Sequence, residues 1–576
     1  MTNTPELTHE LVNDVPVLMH FLRDVLALDR GLDAIWPRHG NWQGLSPGQV
    51  LVTWLTHVLS EGDHRMSQVQ DWANTLPHTL ATLLGQPVRP TDLTDDRLAE
   101  VTRHLSLPAV WHPLEQAVTQ QIVRVYRLQP ERVRLDTTTA SVYADRDEVA
   151  VLFQRGHSKD HRPDLRQLKV MLAALDPLGV IVAADVVPGN RADDGLYLPT
   201  ILRLQTTLGE SGLLYIGDAK MGALATRAYL HATGNHYLLP LAQIGHLPEQ
   251  MAAWVSAATD GRVKLTPIRA TEGQTVLGEG YELTRPQVGQ RPDGRPLHWT
   301  ERILLVRSAA FAQAAVRGLH QRLARARAEL RALTPARGRG RKQFTEAGPL
   351  RAAAEAILQE RDVVGLLRIQ MRADVERRTL RAYGDRPART TERRRYVLTV
   401  ADNPAQIAAQ EQRLGWRAYA TNAPRQGLSL AQAVQAYRDE WLIERDCARL
   451  KGRPLSLRPL WVSRDDHAVG LTHLLTLGAR VLAVVEYHAR QNLQQAGRPL
   501  TGLFAGQPKR ATDQPTTERL LKAFDRIILT TIQTGQQVQR FLTPLSELQH
   551  TILRHLDCPR NLYTQLVPNL PNPLRI

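Results

Sequence analysis

Residues 168–187 read LKVMLAALDPLGVIVAADVV. Two apolar runs, Leu168 to Leu175 and Val180 to Val187, flank Asp176-Pro177-Leu178-Gly179, where proline presets one backbone angle and glycine tolerates a positive one. The stretch is therefore read as a β-hairpin. Working outward, Val133-Arg134-Leu135 forms a strand that leads into Asp136. On the other side, a helix around Asp194 to Leu208 precedes Leu213-Leu214-Tyr215-Ile216, a short buried-type strand ending at Asp218. Another helix and a strand at Tyr237 to Leu241 follow, so the order is βββαβαβ.

Upstream, residues 1 to about 128 read as helical. The clearest helix runs from Ser46 to Gly62, with serine as N-cap, Pro47 in the first turn and glycine as the stop. A second helix is expected around Met66 to Trp72 and a third from Thr94-Asp95-Asp96. That spacing is compatible with a helix-turn-helix docking on DNA, and equally with a helical packing or dimerisation domain.

Downstream, between about 242 and 410, the pattern dissolves into short strands and a basic helical stretch. A strand at Trp416 to Ala420 and a long helix from Ser429 come next. Residues 317–342 carry nine Arg or Lys against one acid, Glu329. Leu319, Leu323, Ala326, Leu330 and Leu333 keep one side of that stretch apolar. The basic loop Arg337-Gly338-Arg339-Gly340-Arg341-Lys342 follows, read either as a solvated face or as a DNA contact.

The chain of 576 residues is long enough for several domains, and its 43% hydrophobic and 22% charged residues are those of a folded protein. The net charge of +15 points to a polyanionic partner. Cys447 and Cys558 are the only cysteines, which excludes a disulfide framework and a Cys-based zinc site and suits a reducing cytoplasm. The opening segment MTNTPELTHELVND lacks the features of a signal peptide. The longest apolar run, Leu471 to Tyr487, contains His473, Arg480 and Glu486, so it is expected to be a buried helix rather than a membrane span.

Phosphodiester hydrolysis and strand transfer need an activated oxygen nucleophile, a stabilised leaving oxygen and neutralised charge at phosphorus. Two divalent ions about 3.5–4 Å apart supply these, and magnesium takes oxygen ligands, so a few carboxylates suffice. Acids at the ends of the first and fourth strands and on a later helix can converge on such ions. Asp136, Asp218 and Glu444 fit that description. In AYRDEWLIERDCARLKG, one continuous helix would stack Tyr437, Trp441, Glu444, Ala448 and Lys451 in a stripe.

With these residues the chain resembles the bacterial insertion-sequence transposases of the DDE type, in the branch marked by tyrosine, arginine, glutamate and lysine separated by two, three and six residues. Tyr437, Glu444 and Lys451 take three of the four positions, while Glu440 stands where arginine is usual. Arg438, Arg445 and Arg449 are candidates to replace that arginine's phosphate contact. RLDTTTASVY, with Asp136, resembles the first catalytic motif, and LLYIGDAKM, with Asp218, the second. The charged loop, hairpin and P-G-N-x-x-D turn between them also match the branch.

The resemblance implies an α/β fold: an RNase H-like mixed-sheet core with a β-rich, basic insertion between the second Asp and the Glu, plus helical N- and C-terminal regions. The expected limits are 1–128 for the N-terminal domain (DNA-end binding or dimerisation), 129–241 and 411–500 for the two parts of the core, 242–410 for the insertion and 501–576 for the C-terminal region. It implies Mg²⁺, or Mn²⁺, with two ions held by Asp136, Asp218 and Glu444. It also implies a homodimer pairing two ends of double-stranded DNA before cut-and-paste transposition, in the cytoplasm at the bacterial nucleoid and without a membrane role. Tyr437, Lys451, Lys159, Arg162, Arg337, Arg339, Arg341 and Lys342 are the expected DNA-binding or supporting residues. Alternatives are a non-catalytic domesticated DNA-binding protein and another RNase H-like nuclease.

Among further candidates, Thr137, Thr138 and Thr139 either donate to phosphate or satisfy the strand. His157, Ser158, Lys159, His161 and Arg162 form a polar loop, and His157 and His161 lack the further ligands that zinc needs. Asp193 is read as a helix cap or a supporting acid, and Trp416 as core or as a stacking wedge for a flipped base.

Overall fold

The computed structural model describes residues 5–143, 151–209, 211–270, 275–338, 341, 343–382, 384–385 and 387–567. The two apolar runs form strands β2 (Gln167–Leu175) and β3 (Val180–Pro188), preceded by β1 (Arg132–Ser141). The turn between β2 and β3 closes as its sequence dictates: Gly179 takes a φ of +66° and donates to the Leu175 carbonyl at 2.9 Å. The buried Arg134 of β1 pins the turn from below, its guanidinium forked onto Asp176 through two 2.7 Å bonds. Helix α4 (Asp194–Leu208) leads to β4 (Leu214–Gly217), and helix α5 (Leu224–Ala232) to β5 (His236–Pro240).

The five strands lie in the order β3-β2-β1-β4-β5. Hairpin neighbours are antiparallel, whereas β1–β4 and β4–β5, reached through helices, are parallel, as crossover connections require. This is a mixed sheet in a mixed α/β fold. Every residue of β2 is buried, the pattern of a strand covered on both faces.

The chain divides into two compact units. The first holds Met1–Leu239, Val288–Leu297 and Tyr437–Ile576, the second Pro240–Gln287 and His298–Ala436.

In the first unit, helices from both ends of the chain pack with the sheet. Helix α1 (Pro47–Glu61) starts at a reciprocal cap between Ser46 and Gln49 and stops at Gly62. Helix α2 (Asp95–Leu105) buries Leu98, Val101, Thr102 and Leu105 and packs against the long helix α7 (Asp465–Ala496). Their approach is so close at Gly470 that a Cβ there would lie 1.9 Å from the Thr102 carbonyl oxygen. Helix α3 (Pro108–Val125) lies on β3, where Trp111 Nε1 donates to the Ala184 carbonyl at 3.1 Å and Thr119 to that of Val182 at 3.2 Å. The apolar run at Leu471–Tyr487 is a core helix: α7 is long and apolar enough for a span, yet 94% of its apolar window is buried inside the protein.

Several expectations are corrected here. Helix Pro77–Leu84 intervenes between Met66–Asn74 and α2, so those two elements do not form a two-helix motif. Neither end of the chain is purely helical. Glu6–Leu11 is a strand paired with Ile528–Thr534, to which Gln537–Leu542 adds. The β-branched residues of ILTTIQT favour a strand, and Gly535, at a φ of +64°, supplies the turn.

The second unit is as helical as it is stranded, not chiefly β. Helices Leu247–Thr259, Ala309–Leu333, Ala347–Glu360 and Pro404–Arg413 accompany a sheet in the order Trp416–Thr421, Pro296–Ser308, Val276–Gln290, Thr266–Arg269. A separate antiparallel ribbon pairs Leu367–Leu380 with Arg389–Asp402. The apolar stripe of the basic helix is its core face: Leu319, Leu323, Ala326 and Leu330 pack with Leu358, Leu367 and Leu398. Trp416 is buried, with Nε1 donating to the Gln412 carbonyl at 3.0 Å.

Candidate active site

The pairing of β1 with β4 places two acids side by side. Leu135 stands opposite Gly217 in the parallel register, so the next residues, Asp136 and Asp218, occupy matching positions on strands that run about 4.8 Å apart. Asp136 Oδ1 accepts from Lys159 Nζ at 2.9 Å and from the Thr137 amide at 2.8 Å. Burial pushes the Asp136 carboxyl above its usual range; Lys159 opposes the shift and the charge of Asp218 adds to it. Burial weakens the Lys159 ammonium, but Asp136 outweighs it and the lysine is held charged.

Asp218 follows β4 and caps a short turn, its Oδ1 accepting from the Lys220 amide at 2.8 Å. The same oxygen accepts from the hydroxyl of Tyr197, on α4, at 2.6 Å. Tyr197 is fully buried; burial first, and Asp218 second, drive its phenol far above the ordinary range. It is therefore a fixed proton donor.

The third acid differs from expectation. The helix does not run through from Ser429: Leu430–Arg438 ends, and α6 (Trp441–Lys451) begins after a turn at Asp439-Glu440. Leu442 and Ile443 donate to the carbonyls of Asp439 and Glu440 at 3.1 Å, three residues back, which is the tighter winding of a helix start. Tyr437 thus falls outside the stripe shared by Glu444 and Lys451. Glu444 is exposed, whereas Glu440 is half-buried. Burial raises the Glu440 carboxyl, followed by the charges of Asp136, Glu444 and Asp218. Its field reaches both strand acids. Among the described residues no three acidic, histidine or cysteine side chains already stand as a metal-holding group.

Two buried anchors hold α6. Glu486 of α7 takes Arg445 at 2.5 Å, Arg490 at 2.9 Å and also Arg449. Glu518 takes Arg449 at 3.0 Å, and the Leu178 carbonyl in the hairpin turn takes Arg445 at 3.0 Å. Arg445 and Arg449 are thus committed inside the protein and do not replace the missing arginine; Arg438 is exposed. Between them Asp446 is fully buried, and its carboxyl is pushed up to about 8 by burial, against the pull of Arg445 and Arg449.

The polar loop reaches the same region through Asp160, which accepts from Lys451 at 3.0 Å and pairs with Arg458 at 2.9 Å. Thr139 accepts from the Lys159 amide at 3.1 Å, and all three β1 threonines are buried. Arg162 is exposed and paired with Asp164 at 2.7 Å. Asp193 heads α4 without capping it and instead takes Lys169 at 2.5 Å. In the second unit Arg337 is paired with Glu376 and Arg341 is exposed, while Arg339 and Lys342 lie outside the described residues. Sequence reasoning missed Tyr197, Asp160 and Glu486. Asp160 stood in a charged loop already singled out, but Tyr197 and Glu486 lie in apolar helices that read as core.

The donor chemistry suits a hard divalent cation: Asp136, Asp218, Glu440 and Glu444 offer oxygen alone. Residues 135–479, well over half of the chain, match the model of the transposase DDE domain. No curated protein matches. Among solved structures, the chain aligns with one titled "Cryo-EM structure of piggyBac transposase synaptic complex with hairpin DNA (SNHP)" at 9% identity and a TM-score of 0.24. That alignment covers 50% of this chain and 60% of the other. The mixed central sheet is consistent with the RNase H-like core of a DDE transposase.

Proposed function

The chain belongs to the transposase DDE domain family, whose domain is that of a catalytic transposase, and on that premise we propose that it binds the terminal inverted repeats of an insertion sequence and catalyses cleavage and strand transfer of double-stranded DNA by cut-and-paste. The observation that carries this reading is the parallel register ending at Leu135↔Gly217, which brings the next residues, Asp136 and Asp218, to matching positions, with the helix of Glu444 packed on β1 and β2. Asp136, Asp218 and Glu444 would hold Mg²⁺ or Mn²⁺. When bound, two such ions activate the attacking oxygen and stabilise the leaving one.

The chain's own groups prepare this chemistry. Tyr197 donates to one oxygen of Asp218 and so aims the other lone pairs outward. Lys159 opposes the rise that burial imposes on the Asp136 carboxyl and so favours its charged form. The Arg445–Glu486–Arg449 linkage holds α6, and with it Glu444, on the sheet. Lys451, fixed by Asp160, stands on the same helix. Two copies would pair the ends of one element.

The test is a labelled DNA duplex carrying the ends of the element, incubated with protein and Mg²⁺. Metal-dependent nicking at the ends, followed by joining to a target duplex, is expected. A protein that binds the ends but neither nicks nor joins them would sink the enzymatic reading in favour of a binding protein; nicking without joining would leave a nuclease.

A further inference from the structure

The arginines of the second unit are concentrated where the sequence pattern had not pointed. Residues 367–402 contain ten arginines against five acids, and most of them lie on the ribbon of Leu367–Leu380 and Arg389–Asp402. The base of the ribbon is anchored: Leu367 and Leu398 enter the core with Ile369, Met371 and Val400 packed beside them. Beyond Arg372 and Val397 no residue of either strand is buried.

The acids of the distal half are already used. Asp374 takes Arg395 at 2.7 Å, Glu392 takes Arg377 at 2.7 Å, and Glu376 takes Arg337. That leaves Arg378, Arg381, Arg389, Arg393 and Arg394 exposed, with no acid partner among the described residues. In the register Glu376↔Arg393, Arg378↔Thr391 and Leu380↔Arg389, side chains alternate between faces. Arg378, Arg389 and Arg393 therefore share one face and Arg394 takes the other.

We infer that this distal ribbon is a DNA-binding element that enters the major groove of duplex DNA with Arg378, Arg389, Arg393 and Arg394. The inference rests on the reading that the chain acts on DNA, and it shares no residue with the carboxylate group. Eight residues per strand span about 27 Å, and two strands are about 4.8 Å apart, which suits a major groove about 12 Å wide that admits a two-stranded ribbon. Planar guanidinium groups match both phosphates and the paired acceptors of guanine. An RNA duplex is disfavoured because its major groove is deep and narrow. The distal ribbon carries unpaired cations on both faces and a single exposed large apolar side chain, Val375, too little apolar surface to hold a protein partner tightly.

The experiment uses the full-length chain and fluorescein-labelled duplexes of one mixed sequence, as DNA and as RNA, with affinity followed between about 50 and 200 mM salt. Replacing Arg378, Arg389, Arg393 and Arg394 together by Gln should leave the melting temperature unchanged, because all four are exposed. It should reduce the slope of log affinity against log salt on DNA by about 3 to 4, at ~0.9 per lost phosphate contact. Unchanged slope and affinity would overturn the inference, as would an equal loss on RNA duplex, which would mark a shape-blind polyanion surface. Wild-type protein that shows the slope but never nicks element ends with Mg²⁺ would count against the proposed enzyme while leaving the ribbon standing. Protein that binds no duplex would remove both.

Discussion

The Lys159 ammonium lies 2.9 Å from Oδ1 of Asp136, the acid at the end of β1. It is the positive charge that lets this carboxyl ionise despite its burial. Lys159→Met removes that charge while keeping much of the stem, so Asp136 should protonate more readily. The acid limb of the pH–rate profile for Mg²⁺-dependent cleavage should then move to higher pH, with DNA binding little changed. An acid limb that stays in place would show that Asp136 is ionised by other means.

Glu444→Gln keeps size and helix propensity but removes a ligand charge. Cleavage and strand transfer should fall by several orders of magnitude, while binding of DNA ends persists or tightens slightly as repulsion falls. Glu440→Gln should reduce activity far less. The half-buried position of Glu440 and its coupling to both strand acids make the comparison decisive. If Glu440→Gln is dead and Glu444→Gln cleaves normally, the third ligand lies one turn earlier.

Tyr197→Phe deletes the hydroxyl that donates to Asp218 at 2.6 Å and leaves the ring in its buried place. Partners that orient metal ligands typically contribute 10–100-fold to metal affinity or activity. A loss in that range is expected in Mn²⁺ binding followed by electron paramagnetic resonance and in cleavage. Mn²⁺ affinity equal to wild type would reduce the contact to packing.

Glu486→Gln breaks a buried charge cluster and leaves Arg445, Arg449 and Arg490 short of a counter-charge. Removing one partner of a buried pair costs about 3–5 kcal/mol, which chemical denaturation would register. Arg445→Gln combined with Glu486→Gln should cost less than the two single changes added together, because both remove one linkage. Strict additivity would mean that the two residues act separately.

Asp446 gives a pH prediction with a definite sign. Its folded-state carboxyl is pushed up to about 8 from an ordinary 3.8. Protonation therefore favours the fold, and the stability this supplies is full below the ordinary value. It is lost as pH rises from there to about 8. Asp446→Asn, fixed in the neutral form, should flatten that decline and melt higher than wild type near pH 8. Identical pH slopes in thermal denaturation of the two proteins would refute the assignment.

The hairpin at 168–187 and the limits of α1 are legible in the sequence because their causes are local: a Pro and a Gly in one turn, a Ser–Gln cap and a Gly stop. The adjacency of Asp136 and Asp218 follows from strand order alone. The break before Trp441 is not legible, since Asp439-Glu440 contains no glycine or proline and keeps the helical period on both sides. Nor is the Glu486 clamp, whose arginines stand 37 and 41 residues away on another helix, beyond the reach of any local pattern. The arginine ribbon is hidden for another reason. Alternation of Arg with Thr and Glu carries too little hydrophobic contrast to signal a strand, whereas the basic helix has a clear apolar stripe, although Arg327 there is spent on Asp402.

The placement of α6 after the second unit bears on how the protein is made. Asp136 and Asp218 leave the ribosome early, while Glu444 emerges some 220 residues later, roughly 10–50 s at translation rates of about 5–20 residues per second. Glu486, which clamps the helix of Glu444, comes later still. A nascent or prematurely terminated chain that stops before α6 therefore carries Asp136 and Asp218 without Glu444, so the proposed ligand set is completed only after the second unit has been made.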